Sequence, residues 1–218
     1  MSLPIQSRST RPTLLLAALA VAALLGACAP LLIGGAMVGG SLMAIDRRTS
    51  GAQIEDQAIE LKSLTRVSEA IGDRGNVSIT SYNRLVLITG EVPTEADKAA
   101  IGLAVARIEN VRSIVNELAI AGASSFGTRS NDTLLTSKVK ASIVDTKDLQ
   151  TNAFKVVTDR SVVYLMGRVT EREATRAAEV ARGVSGVRKV VRVFEIVSEA
   201  ELAETQPKAA PAAPPAKP

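Results

Sequence analysis

The 218-residue chain contains no histidine, no tryptophan and a single cysteine, Cys28. Without histidine, Ser/His and Cys/His nucleophiles and the common Cys/His zinc sets are excluded by inventory. A lone cysteine cannot close an intramolecular disulfide. Two tyrosines and three phenylalanines are the whole aromatic content, too little to stack nucleic-acid bases as a binding mode. Gly34, Gly35, Gly39 and Gly40 are not followed by the Lys-Ser/Thr pair of a phosphate loop. No cofactor, metal, nucleic-acid partner or small-molecule substrate is therefore expected, and no enzymatic activity. The longest apolar run, Leu14–Leu25, falls short of the about 20 residues that span a bilayer.

What is present begins with that run. Arg8 and Arg11 are the only charges before Cys28. A basic start, a short apolar stretch and a small-residue exit describe a secretory signal peptide over residues 1–27. "LGAC" at 25–28 resembles the lipobox of bacterial lipoproteins, which implies that the Cys28 sulfur carries diacylglycerol and becomes the mature N-terminus. Several acyl chains give stable attachment where one would be marginal. Ala29 in place of Asp implies, by enteric-type sorting, release to the outer membrane with the protein facing the periplasm. Residues 28–50 are expected to form the lipidated N-terminus and a flexible tether, with "DRRTSG" at 46–51 as solvated linker. Cleavage removes two positive charges, leaving 24 Lys+Arg against 22 Asp+Glu.

The rest is a repeat. "VSITSYNRLVLITGEVPTEADKAA" from Val77 matches "FKVVTDRSVVYLMGRVTEREATRAA" from Phe154, with Gly90 and Gly167 aligned. "VRSIVNEL" from Val111 matches "VRKVVRVF" from Val187. Each copy reads as helix, strand, strand, helix, strand. The helices open at Asp56 and Asp132, and β-branched runs are split at Asp159-Arg160 by a hairpin turn. A second helix is capped by Thr170 with Glu173 completing a capping box, and by Thr94 with Asp97 in a weaker version. Residues 122–129 read as a linker. Residues 199–218 read as a disordered Pro/Ala-rich tail that cannot build a core.

The two copies, at 51–121 and 130–198, resemble the BON domain of osmotically inducible periplasmic proteins. The resemblance rests on the V-x-L-x-G-x-V strand, the charged-Ala helix and the GV-x-x-V strand entry. With a lipobox in front, the layout is similar to outer-membrane lipoproteins carrying two BON domains. The implied fold class is α+β, two tandem αββαβ domains, each a three-stranded mixed sheet packed by two helices. The implied function is binding of anionic phospholipid and support of envelope integrity. The alternative reading is a protein-interaction adaptor that docks on an outer-membrane assembly or cell-wall partner, with envelope proteins as its partners. That group tends to carry Trp where this chain has Leu134.

Charge separates the copies. Residues 52–122 hold 7 Lys+Arg against 10 Asp+Glu, whereas 130–198 hold 12 against 8. On a helical wheel, Leu135, Val139 and Ile143 form one stripe of the first helix of the second copy. Leu134, Ala141 and Val144 form another on the far side, bordered by Lys138 and Lys140. Leu134, Lys138, Val139, Lys140, Ala141 and Val144 are thus the candidate lipid-binding residues, since an apolar strip with lysine borders suits an anionic interface. In the first copy the wheel gathers Ile59, Leu64, Val67 and Ile71 on one face, with Leu61 just beyond it, and shows no comparable second strip.

Overall fold

A computed structural model describes residues 46–205; the expected signal peptide, Cys28, most of the expected tether and the end of the tail lie outside the described residues. The first copy comprises α1 (Ser50–Ile71), β1 (Asn76–Tyr82), β2 (Leu85–Val92), α2 (Glu95–Ala106), β3 (Ser113–Asn116) and β4 (Ala119–Ile120). The second comprises α3 (Phe126–Val144), a 3-10 turn at Thr151–Ala153, β5 (Phe154–Asp159), β6 (Val162–Val169), α4 (Glu171–Arg182) and β7 (Lys189–Ile196). A last helix, α5 (Glu199–Thr205), follows. In each sheet the first two strands are antiparallel and the third runs parallel to the second. The third position of the first sheet is shared by β3 and β4, both paired with β2. Between them Asn116 accepts the Leu118 N–H through its side chain, and Leu118 turns into the core.

α1 and α3 each begin six residues before the aspartates expected to open them, capped instead by Thr49 and Ser125. The aspartates do something else. Each hairpin turn holds two non-glycine residues at positive φ, Asn83 and Arg84 in the first copy and Arg160 and Ser161 in the second. The second turn thus lies one residue later than Asp159-Arg160. Such turns match the strand twist but expose two N–H groups. Asp56 accepts both from Asn83 and Arg84, and Asp132 accepts both from Arg160 and Ser161. One buried carboxylate per copy therefore fastens the helix to the hairpin.

The helices cover one face of each sheet. Ile59, Val67, Ile71, Val86, Ile88, Ile101 and Val105 fill the first core; Val139, Ile143, Val163, Leu165, Ala177 and Ala181 fill the second. The opposite sheet faces meet each other in a third cluster of Tyr82 and Leu87 with Tyr164, Met166 and Val193. β2 and β6 are thus buried on both sides, which is why "LVLITGEV" and "VVYLMGRV" are apolar throughout and do not alternate. Gly90 and Gly167 lie where backbones crowd. A Cβ would stand 1.9 Å from the Asn76 carbonyl oxygen at Gly90 and 2.2 Å from that of Ala153 at Gly167.

Three expectations about connecting segments are corrected. Residues 46–49 are not a solvated linker. Arg47 is buried, donating to both Glu173 oxygens at 2.7 and 2.8 Å, to Gln150 Oε1 at 3.1 Å and to the Arg168 carbonyl at 3.1 Å. Arg48 binds Asp46 and Asp56 and stacks 4.3 Å from the Tyr82 ring centroid. This strap before α1 therefore reaches across to the second copy. The 122–129 linker is shorter than expected because α3 starts inside it, at Phe126. The tail begins as helix: Ser198 Oγ accepts the Glu201 N–H, and Leu202 is buried.

Candidate functional site: the outward face of α3

α3 is set against its sheet by Leu135, Val139 and Ile143, all buried. Val139, proposed from sequence as lipid-binding, is fully inside the second core and has no surface to offer a membrane. Its heptad-like spacing from Leu135 and Ile143 places it on the sheet-facing stripe. The other candidates point outward. Leu134 is 53% exposed and Val144 59%, and Lys138, Lys140 and Ala141 are exposed too.

The structure adds Phe126, 80% exposed, at the first position of the helix. At 100° per residue it falls about 80° from Leu134 and in line with Val144. Apolar side chains therefore mark this face from one end of the helix to the other, about 27 Å. Ser130 and Ser137 lie among them and Thr133 at the edge, and two of these hydroxyls are turned to the backbone: Thr133 donates to the Arg129 carbonyl at 3.0 Å and Ser137 to the Thr133 carbonyl at 3.1 Å. These back-bonds hide polar hydrogens from the face. No ion pair of the described residues engages Lys138, Lys140 or Arg129, so all three cations are available to an external anion. A helix expected to open at Asp132 excludes Phe126; Ser125 followed by an apolar residue is the local signal of the earlier start.

α1 differs in kind. Ile54, Leu61 and Leu64 are exposed on it, an outward strip the wheel did not find. Asp56 and Ser63 occupy the buried face, which turns Leu64 out. Of its two basic residues Arg66 is paired with Glu69 at 2.8 Å, which leaves Lys62 as the single exposed cation outside an ion pair, and Glu60 lies beside Leu64. One lysine there compares with two bordering the strip on α3. Among the described residues no helix is long and apolar enough to cross a membrane, and no group of three or more Cys, Asp and Glu is placed to hold a metal ion.

Comparison with known proteins gives the family. The BON domain model matches residues 55–122 and 131–198. The chain is 35% identical over 170 residues to outer membrane lipoprotein DolP of Haemophilus influenzae, covering 77% of this chain and 88% of that protein. It is 31% identical over 156 residues to a 21 kDa hemolysin of Actinobacillus pleuropneumoniae, covering 70% and 80%. It is 27% identical over 148 residues to osmotically-inducible protein Y of Escherichia coli, covering 64% and 72%. With both repeats matched and this identity over most of its length, the chain belongs to the BON-domain family, among its envelope-associated outer membrane lipoproteins.

Proposed function

We propose that the protein is a non-enzymatic lipoprotein, acylated at Cys28, that docks on anionic phospholipid through α3 and thereby supports envelope integrity. The observation that carries the reading is the strip Phe126–Leu134–Ala141–Val144, exposed end to end and flanked by Lys138, Lys140 and Arg129 without acidic partners. Apolar side chains gain by entering the headgroup boundary, and each lysine near an anionic surface adds about 1 kcal/mol. Long lysine stems let the charge stay at the phosphates while the helix sinks.

The test is co-sedimentation of the purified mature chain with phosphatidylglycerol and phosphatidylcholine vesicles. Leu134→Glu with Val144→Glu should abolish binding to the anionic vesicles while circular dichroism stays native. Lys138→Glu should flatten the salt dependence of what remains. A folded double variant that binds like wild type refutes the site. The second reading, a protein-interaction adaptor, is favoured by Ile54, Leu61 and Leu64 on α1, a second exposed apolar strip with a single cation outside ion pairs, Lys62, on its helix. It gains if vesicles alone bind nothing. The anchor is tested separately: Cys28→Ala should abolish incorporation of labelled fatty acid and release the protein from the outer membrane fraction.

A further inference from the structure

The two copies can be compared with each other, position by position, 76 residues apart along their first helices and 77 along their hairpins. In the first copy the carboxylates of the α1–hairpin junction are neutralised. Arg48 donates to Asp56 at 2.7 Å over the face of Tyr82, and Lys155 from the other copy reaches Glu60 at 3.1 Å and the Ser81 carbonyl at 3.3 Å. At the corresponding junction of the second copy Asp132 replaces Asp56 and Thr136 replaces Glu60, and both cations are gone, leaving Asp132 without a counterpart of Arg48. Ser124 stands where Arg48 would, and Ser78 where Lys155 would. Tyr82 corresponds to Asp159, which adds a carboxylate.

At this place lies a cavity of about 320 Å³ between the β1–β2 pair of the first copy and the α3–β5 junction of the second, lined by Asp132, Asp159, Ser124, Ser78, Thr136 and Thr158 among others. Asp132 is 6% exposed, and the neighbouring Glu91, which accepts from Ser124 and Asn76, is 1% exposed. Neither meets a cation among the described residues, nor does Asp159. Neutral donors alone hold them, the Arg160 and Ser161 N–H groups on Asp132 and Ser124 and Asn76 on Glu91, whereas charges so buried are ordinarily paired. Arg129 is exposed where it lines the cavity and Arg160 sits in the hairpin turn, both beyond ion-pair distance of these groups. Burial, with Glu91 and Asp132 adding like charge, pushes the Asp159 carboxyl above its ordinary value although Gly90 N–H donates to it at 3.2 Å.

We infer that this cavity is a binding site for an organic cation, a guanidinium or primary ammonium group held between Asp132 and Asp159. Two features favour a guanidinium. Its flat fork of five donors can satisfy two carboxylates and the surrounding serine and threonine oxygens together, and the same seat in the first copy already holds one, Arg48 on Asp56. The group can arrive on an arginine side chain of another polypeptide or on a free polyamine; the chemistry at the seat is the same.

The test uses the full mature chain in detergent micelles at low salt, followed by the backbone amide resonances of Gly90, Arg160 and Ser161. N-acetyl-argininamide represents a protein side chain, agmatine a free amine, and N-acetyl-glutamine amide and magnesium chloride are the controls. Saturable shifts of these three amides with either cation, absent with the neutral amide, are expected, and the tighter of the two identifies the source. Asp159→Asn should weaken binding about tenfold or more, the scale of one charged hydrogen bond. Ser124→Arg should abolish it by supplying the missing guanidinium in cis. The inference fails if neither cation saturates, if Asp159→Asn binds as wild type, if Ser124→Arg still binds, or if magnesium moves the same amides at lower concentration.

Discussion

Replacing Arg47 by alanine should be among the most damaging single changes outside the hydrophobic cores. The Arg47 and Glu173 side chains are 2% and 5% exposed, so solvent screening gives little relief. Arg47→Ala removes four hydrogen bonds and leaves Glu173 buried with only the Thr170 N–H at 3.0 Å and the Thr170 hydroxyl. Removing one member of a buried pair costs about 3–5 kcal/mol, most of it from the stranded charge. For a folded unit of this size that is a Tm drop of roughly 6–20 °C. The strap would also be released from the second copy, leaving Arg48 to hold it to Asp56 alone.

The pH dependence separates this cause from general loosening. Burial works to raise the Glu173 carboxyl, but the Arg47 bonds and charge, the Thr170 N–H and the Arg172 charge together hold the group below its ordinary 4.5. A depressed carboxyl contributes stability that is full above its unfolded value and lost as pH falls through its folded one. Without Arg47, only the Thr170 N–H and the Arg172 charge oppose burial, and the carboxyl takes up a proton at higher pH. The gap between wild type and Arg47→Ala should therefore be widest near pH 7 and close toward pH 4. Arg47→Met combined with Glu173→Gln should recover part of the loss, because no charge is left unpaired. Urea melts of the mature chain by far-ultraviolet circular dichroism give the numbers. A loss under about 1 kcal/mol, or a gap independent of pH, would refute the clamp.

Three further outcomes follow from single contacts. Gly167→Ala puts a Cβ 2.2 Å from the Ala153 carbonyl oxygen, a backbone clash that no rotamer relieves; a cost of at least about 2 kcal/mol is expected, and an unchanged melt would show that the strands can part. Asp159→Asn keeps an acceptor for the Gly90 N–H and removes a carboxyl whose raised value means its charge opposes folding. It should melt no lower than wild type at pH 7.5, with any gain vanishing as pH falls and the wild-type group takes its proton. Asp56→Ala strips acceptors from Ser81, Asn83, Arg84 and Arg48 at once; it should cost several kcal/mol, well beyond the about 1 kcal/mol of a typical exposed cap, and differential melting against Thr49→Ala checks this.

Much of the architecture was legible because its signals are local. The Gly90/Gly167 alignment, the Thr170–Glu173 box and the β-branched runs each declare themselves within a few residues. Where reading failed, the partner was distant. Arg47 meets Glu173 126 positions away, and Asp56 caps a turn 27 positions on, so both looked like solvated charge or helix start. Two misses did leave a trace. Ser198 with Glu201 is the spacing of a capping box and marks α5. The unbroken apolar character of β2 and β6 requires something on both faces of the sheets. On α3, phase sorts the candidates: Leu134, Lys138, Lys140, Ala141 and Val144 fall outward, whereas Val139 belongs to the inward stripe.

The straps explain why the copies cannot be treated as independent modules. The strap before α1 rests through Arg47 on the Arg168 carbonyl, and the strap before α3 rests through Ser124 on Glu91. Arg168 and Glu91 are counterparts 77 positions apart, so each copy fastens its entry segment to the same place on the other. Separation would strip both straps and bare Tyr164, Met166 and Val193 on one side and Tyr82 and Leu87 on the other. An isolated second copy would then carry a second apolar surface, on the sheet, able to adhere to vesicles without α3. Lipid affinity measured on separated copies would mix the two surfaces. Point changes in the whole chain, at Leu134 and Val144 with Arg47 intact, isolate the helix face.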